Sequence, residues 1–248
     1  MWTRLLCLLI MLPSIALAYT NPSGYWALDE PNSANSAVDA SGNHQHGIPT
    51  GCPPVVTGVQ TGVASPKARS FNGFGTQFIT IPMTTAVKPA AQIAVSVWFK
   101  GTSTDVSGSD LVSAGDSYAI RILNTGAATF FIYRGLVGGT PTWLSCVTPA
   151  AGLLDGQWHR IVGEKTDAQL AVYLNDSGTP SCTLATTVPI DYTLGTNLII
   201  GKHGDGSGSY DVNGTIDEVC VYPAAFANAE QRAAGCHRVT PGDGQIFQ

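Results

Sequence analysis

Apolar residues recur at every second position in several short segments of the chain. Residues 93–99 show this best, because Ile93, Val95 and Val97 fall on one face when the segment is extended. Successive side chains of a β-strand point to opposite faces of its sheet, so this period of two predicts a strand. Comparable runs predict further strands at residues 128–133, 142–147, 160–163, 170–174, 197–200 and 216–222.

Turn signals separate these runs. Asn72-Gly73, Asp155-Gly156 and the glycine-rich residues 204–206 are typical of chain reversals. A helical pattern is confined to residues 224–234, close to the end of the chain. Strands joined by turns, without amphipathic helices between them, predict an all-β antiparallel sandwich or barrel.

Composition narrows the class of protein. Only 12% of the residues are charged, and the 17 acidic residues outnumber the 12 basic ones. This balance disfavours a nucleic-acid partner, which requires a basic face, and a coiled coil, which is rich in Glu, Lys and Arg. The 44% hydrophobic content is sufficient for a core and disfavours a disordered chain.

Residues 1–18 have the organisation of a secretory signal peptide. Arg4 precedes an apolar run, and Ala16-Leu17-Ala18 ends the segment with a small-x-small cleavage pattern. A membrane anchor is the alternative, but the apolar run is shorter than the roughly 20 residues that span a bilayer. The sequence predicts a secreted protein (periplasmic or at the cell surface if bacterial) with one domain at 19–239 and a short tail at 240–248.

Eight short phrases occur in order along the chain, at residues 24–30, 39–43, 70–73, 95–100, 154–159, 172–176, 198–201 and 214–219. Together they resemble the laminin-G-like jelly-roll domains of the concanavalin A-like lectin/glucanase superfamily, over residues 24–235. The resemblance implies an all-β fold in which two antiparallel sheets form a jelly-roll sandwich. One departure is Asn175-Asp176, where the family usually has Asp-Gly, but both residues tolerate turn geometry.

The resemblance implies a binding module that recognises an extracellular glycan or protein. Glucanases on this fold use a Glu-x-Asp-x-x-Glu strand, because two carboxylates must flank the scissile bond, and the sequence has no such triplet. The sequence also lacks a Gly-x-Ser-x-Gly elbow. The prediction is therefore a non-catalytic module. The alternatives are a polysaccharide-active hydrolase or lyase with scattered catalytic groups, and a purely structural matrix component.

Four aromatic residues lie near predicted loops or strand ends, where their rings could stack on a sugar. These candidate ligand-binding residues are Tyr118, Tyr133, Trp143 and Tyr210. Aromatic rings stabilise a core equally well, so buried packing is the alternative for each of them.

An acidic loop predicts a structural calcium ion. Asp39 and Asn43 offer oxygen ligands around a glycine turn, and calcium takes six to eight oxygens, often from one loop. In the family that this chain resembles, the N-terminal segment lies near the last strand, which would bring Asp217 and the carbonyl of Gly47 to the same ion. The alternative is that Asp39 and Asn43 hold an Asx turn.

Two segments that contain histidine are weaker candidates for binding a metal or a ligand. His44 and His46 alternate on one loop and could bind a transition metal, with a solvated polar turn as the alternative. His203 and Asp205 follow the strand predicted at residues 197–200. The segment around His203 indicates a glycine-rich surface loop first and a ligand contact second.

Five cysteines remain once the signal segment is set aside. Alternation in residues 216–222 directs Val219 and Val221 to one face and Cys220 to the other, towards the helical segment that ends near Cys236. We therefore expect a Cys220–Cys236 disulfide, with Cys146–Cys182 as the second bond and Cys52 left over. A Cys52–Cys236 bond is the main rival, because the chain ends meet in the fold that the sequence resembles.

Overall fold

The computed structural model describes residues 21–59, 66–205 and 208–236. The predicted signal peptide at 1–18 and tail at 240–248 lie outside the described residues.

Two antiparallel sheets make up the described fold, which confirms the predicted all-β sandwich. The strands in chain order are β1 Gly24–Trp26, β2 Ile48–Thr50, β3 Val55–Thr57, β4 Lys67–Asn72, β5 Phe78–Pro82, β6 Ile93–Lys100, β7 Ser109–Ala114, β8 Tyr118–Ile122, β9 Ala128–Val137, β10 Thr140–Val147, β11 His159–Lys165, β12 Gln169–Leu174, β13 Cys182–Ala185, β14 Asn197–Ile200 and β15 Asn213–Tyr222. The eight-stranded sheet has the order β13-β12-β11-β6-β15-β4-β3, with β1 also paired to β15. The seven-stranded sheet has the order β10-β9-β8-β7-β14-β5-β2.

The core lies between the sheets. Val95, Val97 and Phe99 of β6 are fully buried there, as their two-residue spacing predicts. Ala94 and Ser96, on the opposite face of the same strand, are also fully buried. The chain's C-terminal segment covers that face, so the strand has two buried faces rather than one.

The C-terminal segment contains the short helix α1 Ala229–Ala234. It is shorter than the predicted helix at 224–234, because Asn228 ends the extended chain and its side chain caps the helix by accepting from the amide of Gln231. A single 3₁₀ turn, Thr85–Val87, lies elsewhere in the described chain. None of the described helices is long and apolar enough to cross a membrane.

Both expected disulfides are present. Cys146 and Cys182 are bonded with their Cα atoms 5.8 Å apart, and Cys220 and Cys236 with theirs 6.0 Å apart. Cys52 is an exposed free cysteine. Two disulfides indicate folding in an oxidising, extracellular type of compartment.

Candidate functional site

The seven-stranded sheet presents an aromatic side chain on its outer face, by which we mean the face that points away from the core. Leu144 and Cys146 of β10 pack against the core, so Trp143 points outwards and is 39% exposed. Its indole N–H donates to the carbonyl of Asp116 at 2.9 Å, and its ring lies 5.3 Å from that of Tyr133. The exposed ring is thus held in one orientation.

Arg121 occupies the neighbouring part of the outer face. Its guanidinium lies 3.5 Å above the Tyr210 ring and 5.0 Å from that of Phe131. Its Nε and Nη2 atoms also donate to the two oxygens of Asp110, at 2.5 and 3.1 Å. Tyr210 and Arg121 therefore pack together, and the charge of Arg121 is balanced by Asp110.

The four predicted ligand-binding aromatics have different environments. Trp143 is exposed and Tyr210 is half-buried, whereas Tyr133 is only 2% exposed. Tyr118 is buried in the core, where its hydroxyl donates to the carbonyl of Val87 at 3.2 Å. Burial raises the pKa of Tyr118 well above its ordinary value. For Tyr118 the structure thus corresponds to the packing alternative, because its ring presents no surface to a ligand.

Three carboxylates surround the imidazole of His203, and we call these four residues the His203 cluster. Nδ1 lies 2.5 Å from an oxygen of Asp110, while Nε2 lies 2.9 Å from Asp116 and 3.6 Å from Asp205. His203 and Asp110 are buried, but the side chains of Asp116 and Asp205 are 31% and 41% exposed. One ligand atom each from Asp116, His203 and Asp205 lies within 4.8 Å of the others, close enough to hold a metal ion.

Strand pairing brings this cluster together. β7 pairs antiparallel with β14, so the turn that follows β7 lies beside the start of β14, and the loop that follows β14 folds back along β7 to reach that turn. The amide of Gly204 donates to the hydroxyl of Ser113, and the amide of Asp116 donates to the carbonyl of Leu194. A Cβ at Gly204 would approach the amide nitrogen of Gly115 to 2.4 Å. Only glycine allows this close approach of the two loops.

The carboxylates control the ionisation of His203. Burial by itself lowers the pKa of the imidazole, but the hydrogen bond and charge of Asp110, with the charges of Asp205 and Asp116, outweigh it. The pKa of His203 is therefore raised above its ordinary value.

A pocket of about 240 Å³ opens beside the cluster. Its lining residues are Phe78, Thr80, Asn197, Ile199, Lys202, His203, Gly204 and Asp205. Because β5 and β14 supply its floor, the pocket lies on the same outer face as Trp143.

The oxygens of Asp39 accept hydrogen bonds from the backbone. Oδ1 accepts from the amides of Tyr25 and Ser41 at 3.0 and 2.9 Å, and Oδ2 accepts from the amide of Gln45 at 2.9 Å. The bond to Ser41 is the Asx turn that the sequence left open. The side-chain amide of Asn43 donates through Nδ2 to the carbonyl of Ser23 at 3.0 Å.

The other two predicted calcium ligands also have protein partners. The carbonyl of Gly47 accepts from the amide of Ala37 at 2.8 Å. The carboxyl of Asp217 accepts from the amides of Val59 and Glu218, partners that it does not share with Asp39. Burial, followed by the charge of Glu218, raises the pKa of Asp217 to about 9. β1 pairs with β15, so the N-terminal segment does lie beside the last strand.

Sequence reasoning identified only part of the His203 cluster. It named His203 and Asp205, which are two residues apart in the chain, but gave no role to Asp110 or Asp116. No local signal distinguishes these two aspartates, because they lie 93 and 87 residues from the histidine and meet it only through strand pairing.

Comparison with protein families gives one match. Residues 73–230 fit the family model described as "Concanavalin A-like lectin/glucanases superfamily". This range extends over most of the two sheets. A search of curated proteins finds no match to the chain.

Among the solved structures with the same fold are binding domains of toxins and a domain of an arabinanase. The binding domain of Paraclostridial Mosquitocidal Protein 1 aligns with a TM-score of 0.64 and 15% identity, covering 86% of this chain and 51% of the toxin domain. Domain 4 of AbnA, an extracellular arabinanase from Geobacillus stearothermophilus solved with arabinotriose, aligns with a TM-score of 0.58 and 17% identity over 89% of this chain and 100% of that domain. The botulinum neurotoxin serotype C1 binding domain gives a TM-score of 0.58 at 10% identity, with 86% of this chain and 51% of the toxin domain covered. The chain thus spans about half the length of these toxin domains.

Proposed function

The chain belongs to the concanavalin A-like lectin/glucanase superfamily, and from that premise we propose that it is a secreted, non-catalytic module that binds an extracellular glycan. The proposed binding surface is the outer face of the seven-stranded sheet, between Trp143 and the pocket beside His203.

The exposed ring of Trp143 is the observation that carries this proposal. A hydrogen bond to Asp116 and the contact with Tyr133 hold the ring before any ligand arrives. A rigid aromatic ring contributes a large contact area at a low entropic cost of ordering. Sugar rings have apolar C–H faces, and the polar groups of the adjacent pocket suit their hydroxyls.

The wider family resemblance supports a binding role without identifying the ligand. The AbnA domain was solved with arabinotriose, and a botulinum neurotoxin binding domain was solved with rat synaptotagmin II. Protein recognition is the second candidate function. It is favoured by Leu136 and Val137, two apolar residues at the end of β9 that are 64% and 48% exposed.

Glycan-array screening followed by calorimetry tests the proposal. We expect Trp143→Ala to weaken binding of the selected glycan by about tenfold or more, since a central tryptophan contributes more than about 1 kcal/mol. Phe74→Ala is the matched control, because Phe74 is a 79% exposed aromatic that does not line the pocket beside His203.

Two results would overturn this function. Equal glycan affinity of the Trp143→Ala and Phe74→Ala variants would exclude the proposed surface. Release of reducing ends or unsaturated uronates from polysaccharides would show that the protein is an enzyme, because a binding module leaves its ligand intact.

The secretion and domain predictions belong to the same proposal. We propose a signal peptide at 1–18, a single binding domain at 19–239 and a short tail at 240–248. The two disulfides support this arrangement, since they form in oxidising compartments.

We also propose that a calcium ion links the N-terminal loop to the last strand, with ligands from Asp39, Asn43, Gly47 and Asp217. The pairing of β1 with β15 supports it, because both segments lie at the same part of the eight-stranded sheet. The ion's role would be structural.

A further inference from the structure

The atoms that converge in the His203 cluster have the chemistry of a transition-metal site. One imidazole nitrogen and one carboxylate oxygen from each of Asp116 and Asp205 lie within 4.8 Å of one another. Mixed nitrogen and oxygen ligands suit Zn²⁺ and similar divalent ions, whereas Ca²⁺ is bound by oxygen ligands.

Asp110 orients the imidazole as the outer partner of a metal-binding histidine does. It accepts from Nδ1 at 2.5 Å and is itself fixed by two hydrogen bonds from Arg121. A carboxylate on one ring nitrogen fixes the tautomer and directs the other nitrogen to a metal. In His203 that other nitrogen, Nε2, faces Asp116 and Asp205.

The charges of the cluster favour a divalent ion. Arg121 balances Asp110, and the carboxylates of Asp116 and Asp205 place two further acidic groups beside Nε2. The one N–H of a ring nitrogen is directed at a single acceptor, whereas a cation binds several ligand atoms at once. A divalent cation in the same position would contact both carboxylates and neutralise them.

The cluster is also accessible. The side chains of Asp116 and Asp205 are 31% and 41% exposed, and the pocket of about 240 Å³ is lined by His203 and Asp205. Three protein ligands at an accessible site leave a coordination position open, as in zinc sites that bind water or substrate.

We propose that Asp116, His203 and Asp205 bind one divalent transition-metal ion of the zinc class and leave a coordination position open towards the pocket. Asp110 acts as a positioning residue that orients the imidazole. This proposal does not depend on the glycan-binding function, although the two sites adjoin through the contact between Trp143 and Asp116.

Calorimetric titration of the metal-depleted full chain with Zn²⁺, and separately with Ca²⁺, tests the site. We expect one Zn²⁺ per chain, and we expect Asp205→Asn to weaken its binding at least tenfold. Asp205 is exposed, so this variant keeps the fold. Asp167→Asn is the matched control, because Asp167 is an exposed carboxylate in the loop between β11 and β12, where it accepts from the side chain of Gln92. Co²⁺ in place of Zn²⁺ should give the visible absorption of a nitrogen- and oxygen-ligated site, which Asp205→Asn removes.

Two results would overturn the proposal. The first is Zn²⁺ affinity in the wild type no greater than in Asp205→Asn. The second is loss of Zn²⁺ binding in His46→Gln with retention in Asp205→Asn, which would assign the metal to the histidine pair His44 and His46. Failure of the glycan-binding proposal has a separate readout, the glycan affinity of Trp143→Ala, so the two failures are distinguishable.

Discussion

Glu164 and Arg232 form an ion pair that lies between β11 and α1. Their side chains are 2% and 6% exposed, and Arg232 Nε donates to Glu164 at 2.5 Å. The guanidinium also lies 3.5 Å above the ring of Tyr173. Burial raises the pKa of Glu164, and the hydrogen bond and charge of Arg232 act in the opposite direction. The carboxylate therefore depends on Arg232 for its charged form.

Replacing Arg232 should expose this dependence. We expect Arg232→Ala to lower the free energy of unfolding by about 3–5 kcal/mol at neutral pH, because it leaves a buried carboxylate without a partner. Urea denaturation measures the loss. Arg134→Ala is the control, since Arg134 is exposed on β9. A loss in Arg232→Ala as small as in the control would contradict the prediction.

The stability of the Arg232→Ala variant should also depend on pH in a predictable way. A carboxyl whose folded pKa is raised binds more protons in the folded state, so its contribution to stability is present at low pH and lost as the pH rises through that pKa. Removing Arg232 raises the pKa of Glu164 further. We expect the stability difference from wild type to shrink as the pH falls towards 4.5, the ordinary pKa of glutamate. Adding Glu164→Gln to the variant should abolish this trend.

At the scale of elements, the C-terminal segment acts as a cover on the eight-stranded sheet. Arg160 of β11 donates to the hydroxyl of Ser96 on β6 and to the carbonyl of Ala233 in α1. The Cys220–Cys236 bond ties the end of the segment to β15. These contacts explain why the outer face of β6 is buried.

Removing that disulfide should loosen the cover. The bond closes a segment of 16 residues, so we expect Cys220→Ala with Cys236→Ala to lower the free energy of unfolding by about 2–4 kcal/mol. Hydrogen exchange should increase mainly in α1 and the outer face of β6. Cys52→Ser, which removes an exposed free thiol, should change stability by less than about 0.5 kcal/mol. Equal stability of the two variants would argue against the role of the bond.

β15 shows where local pattern stops being sufficient. Alternation correctly assigns Val219 and Val221 to the core and Cys220 to the opposite face. The strand nevertheless has a register irregularity between Asp217 and Cys220, and Glu218 has a φ of 49°. A bulge inserts one residue into a pairing and redirects its neighbours, so it depends on the partner strand as well as on local sequence.

At the scale of the whole molecule, the proposed calcium ion links the two ends of the domain. We expect EDTA to lower the melting temperature of calcium-loaded protein by a few degrees, and Ca²⁺, but not Zn²⁺, to restore it. Asp217→Ala should abolish this response, whereas Asp205→Asn should keep it. A calcium-loaded protein whose melting temperature is unchanged by EDTA would contradict the prediction.

The sequence by itself predicted the fold class, seven of the fifteen described strands and, with Cys52–Cys236 as a rival, the two disulfides that are present. The alternation of apolar and polar residues and the turn residues are properties of a few neighbouring positions, so they can be recognised from the sequence alone. The 12% charge content disfavoured a nucleic-acid partner, because overall composition is known without the fold. The sequence did not predict that Trp143 is exposed and Tyr118 is buried, because the local patterns around the two rings are similar.

Only the tertiary structure decided which distant side chains meet. Asp110 and Asp116 join His203 because the loop that follows β14 folds back along its partner strand β7, and glycine at position 204 lets that loop touch the turn after β7. A second layer of chain covers β6 because Arg160, Arg232 and a disulfide hold it there. Such contacts depend on strand order and packing across long sequence separations, and a local pattern contains no information about either.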